Sequence, residues 1–154
     1  MGWWERLQTL GLVLPPAPRA LATYASARSR DGLVYVSGQL PFASGALAYT
    51  GRVGADLDVE QGRAAARVCA LNALAAAAAV APGGMAGIAG VLQVQGWVQC
   101  GQDFHDQARV VDGASELFRA LFDEAGAHVR VALGCVALPL DAAVELAAVF
   151  TAAP

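Results

Sequence analysis

The stretch His128-Val-Arg-Val-Ala-Leu-Gly-Cys-Val-Ala-Leu-Pro-Leu-Asp-Ala-Ala-Val-Glu145 places a single arginine, Arg130, in a run of small and apolar residues. It turns at Leu138-Pro139 and continues through a second apolar segment that carries one carboxylate, Glu145. Short apolar runs separated by a proline are typical of strands, so the stretch predicts two strands. A cation and a carboxylate in such surroundings are costly unless they have partners. We therefore expect a binding site here, with a small anion as its ligand.

The spacing of this stretch predicts that Arg130 and Glu145 act together. If the two strands form a hairpin centred near Leu138-Pro139, Ala132 lies opposite Glu145, and Arg130 lies two residues further along on the same face. Diagonal neighbours of this kind are roughly 7–8 Å apart, within reach of a long side chain. Arg130 would bind a carboxylate through its planar fork, and Glu145 would orient a water or transfer a proton. The alternative is a weak cross-strand ion pair, and a slip of one residue in register would put the two on opposite faces.

The rest of the chain predicts strands and helices in alternation. Strands are expected over 20–27, 33–39, 88–99, 129–137 and 144–150, and helices over 3–10, 58–80 and 103–126. Asp58 with Gln61 three residues later is typical of a capping box at the start of the long helix. After the short first helix the order is β-β-α-β-α-β-β, which is the α+β class. The two long helices are expected to cover one face of a mixed sheet.

The composition predicts one domain over residues 1–154, with residues 1–18 as an N-terminal extension that holds the short helix. Hydrophobic residues make up 56% of the chain and charged residues only 15%, so the surface is short of charge. Apolar chains of this size often cover surplus apolar area by oligomerising. We therefore expect a homo-oligomer in which neighbouring subunits cover the second face of the sheet.

The charges and cysteines exclude several partners. The net charge is −3 and lysine is absent, which argues against a nucleic-acid partner. The three cysteines lack metal-binding spacing and two histidines are too few for a histidine-built metal site, so the cysteines are expected to be free thiols. The N-terminus is not typical of a signal peptide, and the apolar run 73–81 is too short to span a bilayer. We expect a cytoplasmic protein with no membrane partner.

From about residue 22 to residue 150 the chain resembles the RidA (YjgF/YER057c/UK114) family. The pieces that carry the resemblance are Tyr24, the strand Val34-Tyr-Val-Ser-Gly-Gln-Leu-Pro41, Arg130 nine residues before Pro139, and Glu145 six residues after that proline. The segment Gly51-Arg-Val-Gly-Ala-Asp-Leu57 is similar to one subgroup of the family. The combination is fairly specific, although no piece is specific alone.

The resemblance implies a chorismate-mutase-like fold and a homotrimer with clefts between subunits. It also implies hydrolysis of reactive enamines and imines of 2-amino acids to 2-keto acids and ammonia, with no cofactor and no metal. In the family, the residue matching Arg130 pairs with the substrate carboxylate and the residue matching Glu145 helps to place the attacking water. The backbone N–H matching that of Gly38 holds the ligand, and the residues matching Tyr24 and Ser37 line the cleft.

The chain departs from the deaminase members at two positions. Ala132 stands where they have a cysteine, and Asp112 stands at the cleft in place of an asparagine. An acid there repels a carboxylate substrate unless it is protonated or paired. A member that binds small carboxylates or 2-keto acids without turnover is therefore the main alternative to a deaminase. An endoribonuclease or translation inhibitor, a label attached to some relatives, is disfavoured by the net negative charge.

Overall fold

Helices and strands follow one another in the order that the hydrophobic pattern predicts. The computed structural model describes residues 1–20 and 22–154. The helices are α1 (Trp3–Thr9), α2 (Val59–Val80) and α3 (Gln107–Phe122). The strands are β1 (Ala27–Arg30), β2 (Leu33–Gln39), β3 (Phe42–Ala43), β4 (Ala46–Leu47), β5 (Ile88–Gln99), β6 (Val129–Cys135) and β7 (Val144–Ala152). The α+β class is confirmed, and the short β3–β4 pair is added inside the loop predicted after β2.

Several element boundaries differ from the prediction. The strand predicted over 20–27 begins only at Ala27, because residues 22–26 bend; residue 21 lies outside the described residues. Helix α3 begins at Gln107 rather than at 103, since Gln107 Nε2 donates a hydrogen bond to the Phe104 carbonyl at 2.7 Å and Phe104 packs on the core. Strand β6 ends at Cys135, two residues earlier than predicted.

One mixed sheet carries the fold. Its strand order is β1-β2-β7-β5-β6, with β6 parallel to β5 and the other neighbours antiparallel. The buried valines and leucines of β2, β5 and β7 face α2 and α3, and together they form the hydrophobic core. The predicted mixed sheet with its long helices on one side is confirmed.

The prediction that β6 and β7 form a hairpin is wrong, because β5 lies between them. Arg130 pairs with Val94 of β5, and Glu145 pairs with Trp97 of the same strand. Laterally paired residues share a face, and Val94 and Trp97 are separated by an odd number of positions. Arg130 therefore points to the helix-covered face and Glu145 to the opposite face, so the two do not share a face within one chain.

The connection between β6 and β7 keeps these strands apart. It contains a turn at Pro139–Asp141 in which Leu140 and Asp141 have left-handed backbone, with φ of 58° and 61°. The buried side chain of Gln99, at the end of β5, holds the turn. Its Oε1 accepts from the Leu138 N–H at 2.6 Å and its Nε2 donates to Asp141 Oδ1 at 2.7 Å. The turn thus crosses the end of β5 instead of closing a hairpin.

Helix α2 packs as a core helix. It is long and apolar enough, by length and composition, to cross a membrane, yet 56% of its most apolar window is buried inside the protein. The predicted capping box is confirmed: Asp58 Oδ1 accepts from the Gln61 N–H at 2.8 Å, and Gln61 Oε1 accepts from the Asp58 N–H at 2.9 Å. A run of buried alanines lets α2 lie close to the sheet and to α3.

The second face of the sheet is apolar and open in the single chain. Tyr35 of β2 and Leu133 of β6 point to this face and are 49% and 52% exposed. Val131, two positions before Leu133 on β6, points to the same face and is 45% exposed. The expectation that neighbouring subunits cover this face stays a prediction.

Candidate functional site

A cavity of about 640 Å³ opens where β2 ends and β7 begins. Its walls come from the proline-rich segment after α1, the end of β2, the loop after β2, one residue of α2, and the turn before β7. Four residues that the sequence singled out line it: Tyr24, Ser37, Gly38 and Glu145. The structure therefore brings together most of the predicted site, from segments more than a hundred positions apart.

A break in strand pairing puts Gly38 against Glu145. The register between β2 and β7 runs regularly to Val36–Ala148 and resumes at Gln39–Leu146, so an irregularity lies at Ser37 and Gly38. Bulges of this kind bend a strand and re-aim its residues. A Cβ at position 38 would overlap Glu145 Oε1 and lie 2.8 Å from Glu145 Cδ. Only glycine leaves room for the carboxylate at this place, and its backbone is open to close approach.

The carboxyl group of Glu145 differs from an ordinary surface carboxylate in its burial and in its pKa. It is half-buried, and desolvation by this burial raises its pKa above the ordinary value. No hydrogen bond or ion pair of the carboxylate occurs within residues 1–20 and 22–154. A raised pKa brings a carboxyl group nearer to neutral pH, where it can both accept and donate a proton.

Tyr24 and Ser37 contribute differently to the cavity wall. Tyr24 is 50% exposed and lines the cavity. The Ser37 hydroxyl donates to the Ser26 carbonyl at 3.0 Å, and the Ser37 N–H donates to the same carbonyl at 2.9 Å. The hydroxyl proton of Ser37 is thus already used to hold the chain before β1. A ligand would find the oxygen of this hydroxyl as an acceptor.

Arg130 and Asp112 lie outside the cavity in the single chain. Arg130 Nη1 donates to Asp112 Oδ1 at 2.8 Å and to Ser115 Oγ at 3.0 Å, and its Nη2 donates to the Ala108 carbonyl at 3.3 Å. All three partners belong to α3, on the helix-covered side of β6. Asp112 is therefore the paired acid that the sequence required, and its pairing occupies one side of the arginine.

A hydrogen-bonded pair, Ser115 and His128, adjoins Arg130 and was not predicted from the sequence. His128 Nδ1 lies 2.7 Å from the Gly126 carbonyl, so this nitrogen carries the proton and Nε2 accepts from the Ser115 hydroxyl at 2.9 Å. Burial lowers the pKa of His128, which favours this neutral ring. The pair fixes the oxygen to which Arg130 donates. Ser115 and His128 are 13 positions apart in different elements, and no local spacing signals them.

Asn72 is a second residue that sequence reasoning missed. It is 5% exposed, and its Nδ2 donates to the carbonyls of Leu40 and Phe42, both at 3.0 Å. These two bonds fix the loop after β2 that forms one wall of the cavity. A single amide in a helix that is otherwise alanine-rich was the available signal. No cluster of three or more metal-ligating side chains occurs in the described part of the chain.

Known proteins resemble this chain in sequence and in fold. The sequence profile of the family described as "YjgF/chorismate_mutase-like, putative endoribonuclease" matches residues 4–152. A Trypanosoma cruzi protein, Protein TCP17, is 38% identical over 141 residues, which cover 91% of this chain and 88% of that protein.

Two crystal structures are similar over nearly their whole length. Protein Atu1372 of Agrobacterium tumefaciens, described as of unknown function, is 39% identical with a TM-score of 0.90, covering 98% of this chain and 92% of that one. A Shewanella oneidensis protein that carries the same endoribonuclease description as the family is 31% identical with a TM-score of 0.93, covering 98% and 99%. The family match over residues 4–152 and the 38% identity to the Trypanosoma cruzi protein show that the chain belongs to the RidA/YjgF family of chorismate-mutase-like fold.

Proposed function

We propose that this protein is a cofactor-free deaminase that hydrolyses reactive enamines and imines of 2-amino acids to 2-keto acids and ammonia. The observation that carries the proposal is the Glu145 carboxyl group. It is unpaired among the described residues, its pKa is raised, and it sits against Gly38 on the wall of a cavity with room for a small acid. Family membership supports the same reaction, because the resemblance assigns the water-placing role to this glutamate.

The reaction needs positioning more than a strong nucleophile. The C2 atom of a 2-imino acid is already electrophilic, so a water held near Glu145 can add to it while the carboxylate takes a proton. The imine enters with its nitrogen protonated, as an iminium, so the addition of water gives a neutral carbinolamine. Glu145 then returns its proton to the nitrogen, and as the C–N bond breaks its carboxylate takes the proton of the C2 hydroxyl. The carbonyl of the 2-keto acid forms, and this proton leaves with ammonia as ammonium. Atoms balance with water as the co-reactant.

Arg130 enters this proposal through a second subunit. It cannot reach the cavity of its own chain, because it faces the opposite side of the sheet. A homotrimer would place β6, the edge strand that carries Arg130, beside the cavity of a neighbour. The open apolar face with Tyr35 and Leu133 supports such an assembly. Nε and one Nη2 hydrogen of the guanidinium are not used by Asp112, Ser115 or Ala108, so a substrate carboxylate has donors to bind.

Imine trapping tests the proposal. Short-lived imines are generated by a pyridoxal-phosphate dehydratase, and semicarbazide captures what the protein has not hydrolysed. The wild type should lower semicarbazone formation, and Glu145→Gln should restore it. Arg28 is an exposed residue of β1 that does not line the cavity, so Arg28→Ala should behave as wild type. Arg130→Ala should weaken turnover, and equilibrium sedimentation should show a trimer. A wild-type rate equal to the protein-free rate would dispose of the deaminase for these substrates.

The Asp112–Arg130 ion pair favours one alternative. Asp112 Oδ1 lies 2.8 Å from Arg130 Nη1, and its negative charge weakens the attraction of the guanidinium for a second carboxylate. A substrate carboxylate that is held less firmly leaves C2 less well placed for attack by water. The same cavity would then bind a small carboxylate or 2-keto acid without turning it over. Calorimetry with 2-ketobutyrate separates the two functions, since tight binding by a protein that does not accelerate imine loss supports the binding module.

Cleavage of RNA, which the family description and the Shewanella protein's name mention, has little support in this chain. The net charge is −3 and lysine is absent, whereas binding the phosphate backbone requires a basic surface. Incubation of RNA with a nuclease-free preparation and with Glu145→Gln tests it. If the wild type cleaves RNA and Glu145→Gln does not, an endoribonuclease function is supported.

A further inference from the structure

Four side chains form a hydrogen-bonded cluster around the guanidinium of Arg130. Nη1 of Arg130 donates to Asp112 Oδ1 at 2.8 Å and to Ser115 Oγ at 3.0 Å. The Ser115 hydroxyl in turn lies 2.9 Å from Nε2 of His128. Asp112 and Ser115 belong to α3, Arg130 belongs to β6, and His128 directly precedes β6. The cluster is therefore complete within one chain and needs no neighbouring subunit.

His128 sets the direction of the Ser115 hydroxyl. Its Nδ1 donates to the Gly126 carbonyl at 2.7 Å, so Nε2 is an acceptor and the Ser115 proton points to it. Burial lowers the pKa of His128, and the Phe118 ring packs edge-on to the imidazole at 6.0 Å between centroids. Both contacts favour a neutral ring in this orientation. The lone pairs of Ser115 are thereby left for Arg130, whereas a helical serine without such an acceptor can turn its hydroxyl back to the preceding turn.

Asp112 has a free oxygen with which it can close on Arg130. Among residues 1–20 and 22–154, Oδ1 of Asp112 accepts one hydrogen bond and Oδ2 accepts none, and the side chain is 41% exposed. A carboxylate and a guanidinium favour a two-point pair, in which two parallel N–H donors meet two oxygens. In that arrangement Asp112 would take a second donor of the guanidinium.

The bond to Ser115 stabilises the orientation in which Asp112 has only one donor. Arginine has five N–H hydrogens, and Asp112, Ser115 and the Ala108 carbonyl accept three of them. The Nε hydrogen and one Nη2 hydrogen remain, which is the number that a carboxylate accepts in a two-point contact. Hydrogen bonds to charged groups are stronger than those between neutral groups, so loss of the Ser115 oxygen weakens this orientation. Asp112 and a ligand would then compete for the same donors.

We propose that Ser115 and His128 are positioning residues for Arg130, which keep its guanidinium from forming a two-point pair with Asp112 and so keep two donors free for the carboxylate of the ligand. The role of Arg130 as the residue that binds this carboxylate rests on the proposed function. The cluster explains how the chain can carry an aspartate beside this arginine and still bind an acid.

A double-mutant cycle tests the link between Ser115 and Asp112. Calorimetry with 2-ketobutyrate gives the affinity of each protein. Ser115→Ala should weaken binding about tenfold, as for the loss of a hydrogen bond to a charged group. In the Asp112→Asn background, Ser115→Ala should weaken binding less than about twofold, because a neutral amide does not form the two-point ion pair.

Conservative variants and melting temperatures separate positioning from stability. His128→Gln retains an acceptor for the Ser115 proton and should bind more tightly than His128→Phe, which retains only the aromatic packing. The Asp112→Asn/Ser115→Ala protein should melt no higher than Ser115→Ala although it binds 2-ketobutyrate more tightly. Ser29 is an exposed residue of β1 that does not line the cavity, so Ser29→Ala is the matched control and should bind as wild type.

A crystal structure of Ser115→Ala tests the geometry without any ligand. Arg130 should contact both carboxylate oxygens of Asp112 in this variant. Contact through one oxygen only would overturn the inference, as would an equal loss of affinity from Ser115→Ala in both backgrounds. A wild type that does not bind 2-ketobutyrate would overturn the assignment of the two free donors to a carboxylate.

Imine trapping separates this inference from the proposed function. If the binding cycle is as expected and no imine is hydrolysed faster, the deaminase is refuted and the positioning role stands. If the wild type accelerates hydrolysis and Ser115→Ala does so equally at the same protein concentration, the deaminase is supported and the positioning role is refuted.

Discussion

Replacement of Gly38 by alanine tests the geometry of the site with one methyl group. The added Cβ would overlap Oε1 of Glu145 and lie 2.8 Å from its Cδ. Ordinary van der Waals contact begins at 3.4 Å, so Cδ must retreat by about 0.6 Å and the overlapping oxygen by more. Gly38 does not have positive φ, so alanine is compatible with the backbone.

The expected result is a large loss of activity with a small loss of stability. A misplacement of a reacting group on the order of 1 Å can cost about 100-fold in rate. The obstacle is the end of a flexible side chain, and an off-rotamer side chain costs about 0.5–1.5 kcal/mol. For a chain of this size that lowers the melting temperature by only a few degrees, since about 1 kcal/mol corresponds to roughly 2–4 °C.

Gly113→Ala is the matched control for this experiment. A Cβ there would overlap the carbonyl oxygen of Arg63 and lie 2.8 Å from its carbonyl carbon, where α3 crosses α2. Backbone cannot step aside as a side chain can, so overpacking should cost about 1–3 kcal/mol while the cavity stays intact. Scanning calorimetry and imine trapping on both variants check the contrast. If Gly38→Ala keeps wild-type turnover, or melts as early as Gly113→Ala, the placement of Glu145 against Gly38 is refuted.

Three further predictions concern stability. Glu145→Gln should be more stable than wild type at neutral pH and no more stable below about pH 4. The pKa of Glu145 is raised in the folded state, so ionisation of this carboxyl group lowers the stability of the wild type as pH rises, and glutamine does not ionise. Melting temperatures of both proteins across pH test this, and a difference that does not change with pH would contradict it. Asn72→Ala should lower the free energy of unfolding by about 2 kcal/mol in urea titration, since the buried carbonyl of Leu40 and the partly buried carbonyl of Phe42 lose their donor. Leu140→Gly should raise the free energy of unfolding by about 0.5–1 kcal/mol. Leu140 has left-handed backbone, which glycine adopts without strain, and its side chain is 62% exposed, so little burial is lost. A urea midpoint at lower concentration than that of the wild type would contradict this.

Local patterns predicted the elements well. The capping box at Asp58 and Gln61 and the length of α2 follow from residues within a few positions of each other, so the sequence alone predicts them. The family resemblance also named Tyr24, Ser37 and Glu145, which the structure places in one cavity. Their functional roles remain predictions for the experiments above.

Pairing between distant strands could not be read in the same way. The segment around Leu138-Pro139 is typical of a hairpin turn, and its apolar strands fit either neighbour equally well. β6 and β7 are separated by β5, which pairs with both, and Gln99 at the end of β5 binds both ends of the turn from about forty positions away. The alternation of apolar and polar residues along a strand carries no information about a contact between residues so far apart in the chain.

The sequence by itself determined the α+β order, the extent of α2 and the family to which the chain belongs, since each rests on contacts or motifs that are short in the chain. Only the tertiary structure decided that Arg130 faces Asp112 on one side of the sheet while Glu145 faces the cavity on the other. The physical reason is that a side chain's face depends on its strand's register with β5. That register is set by long-range hydrogen bonds and packing that form only when the whole sheet assembles.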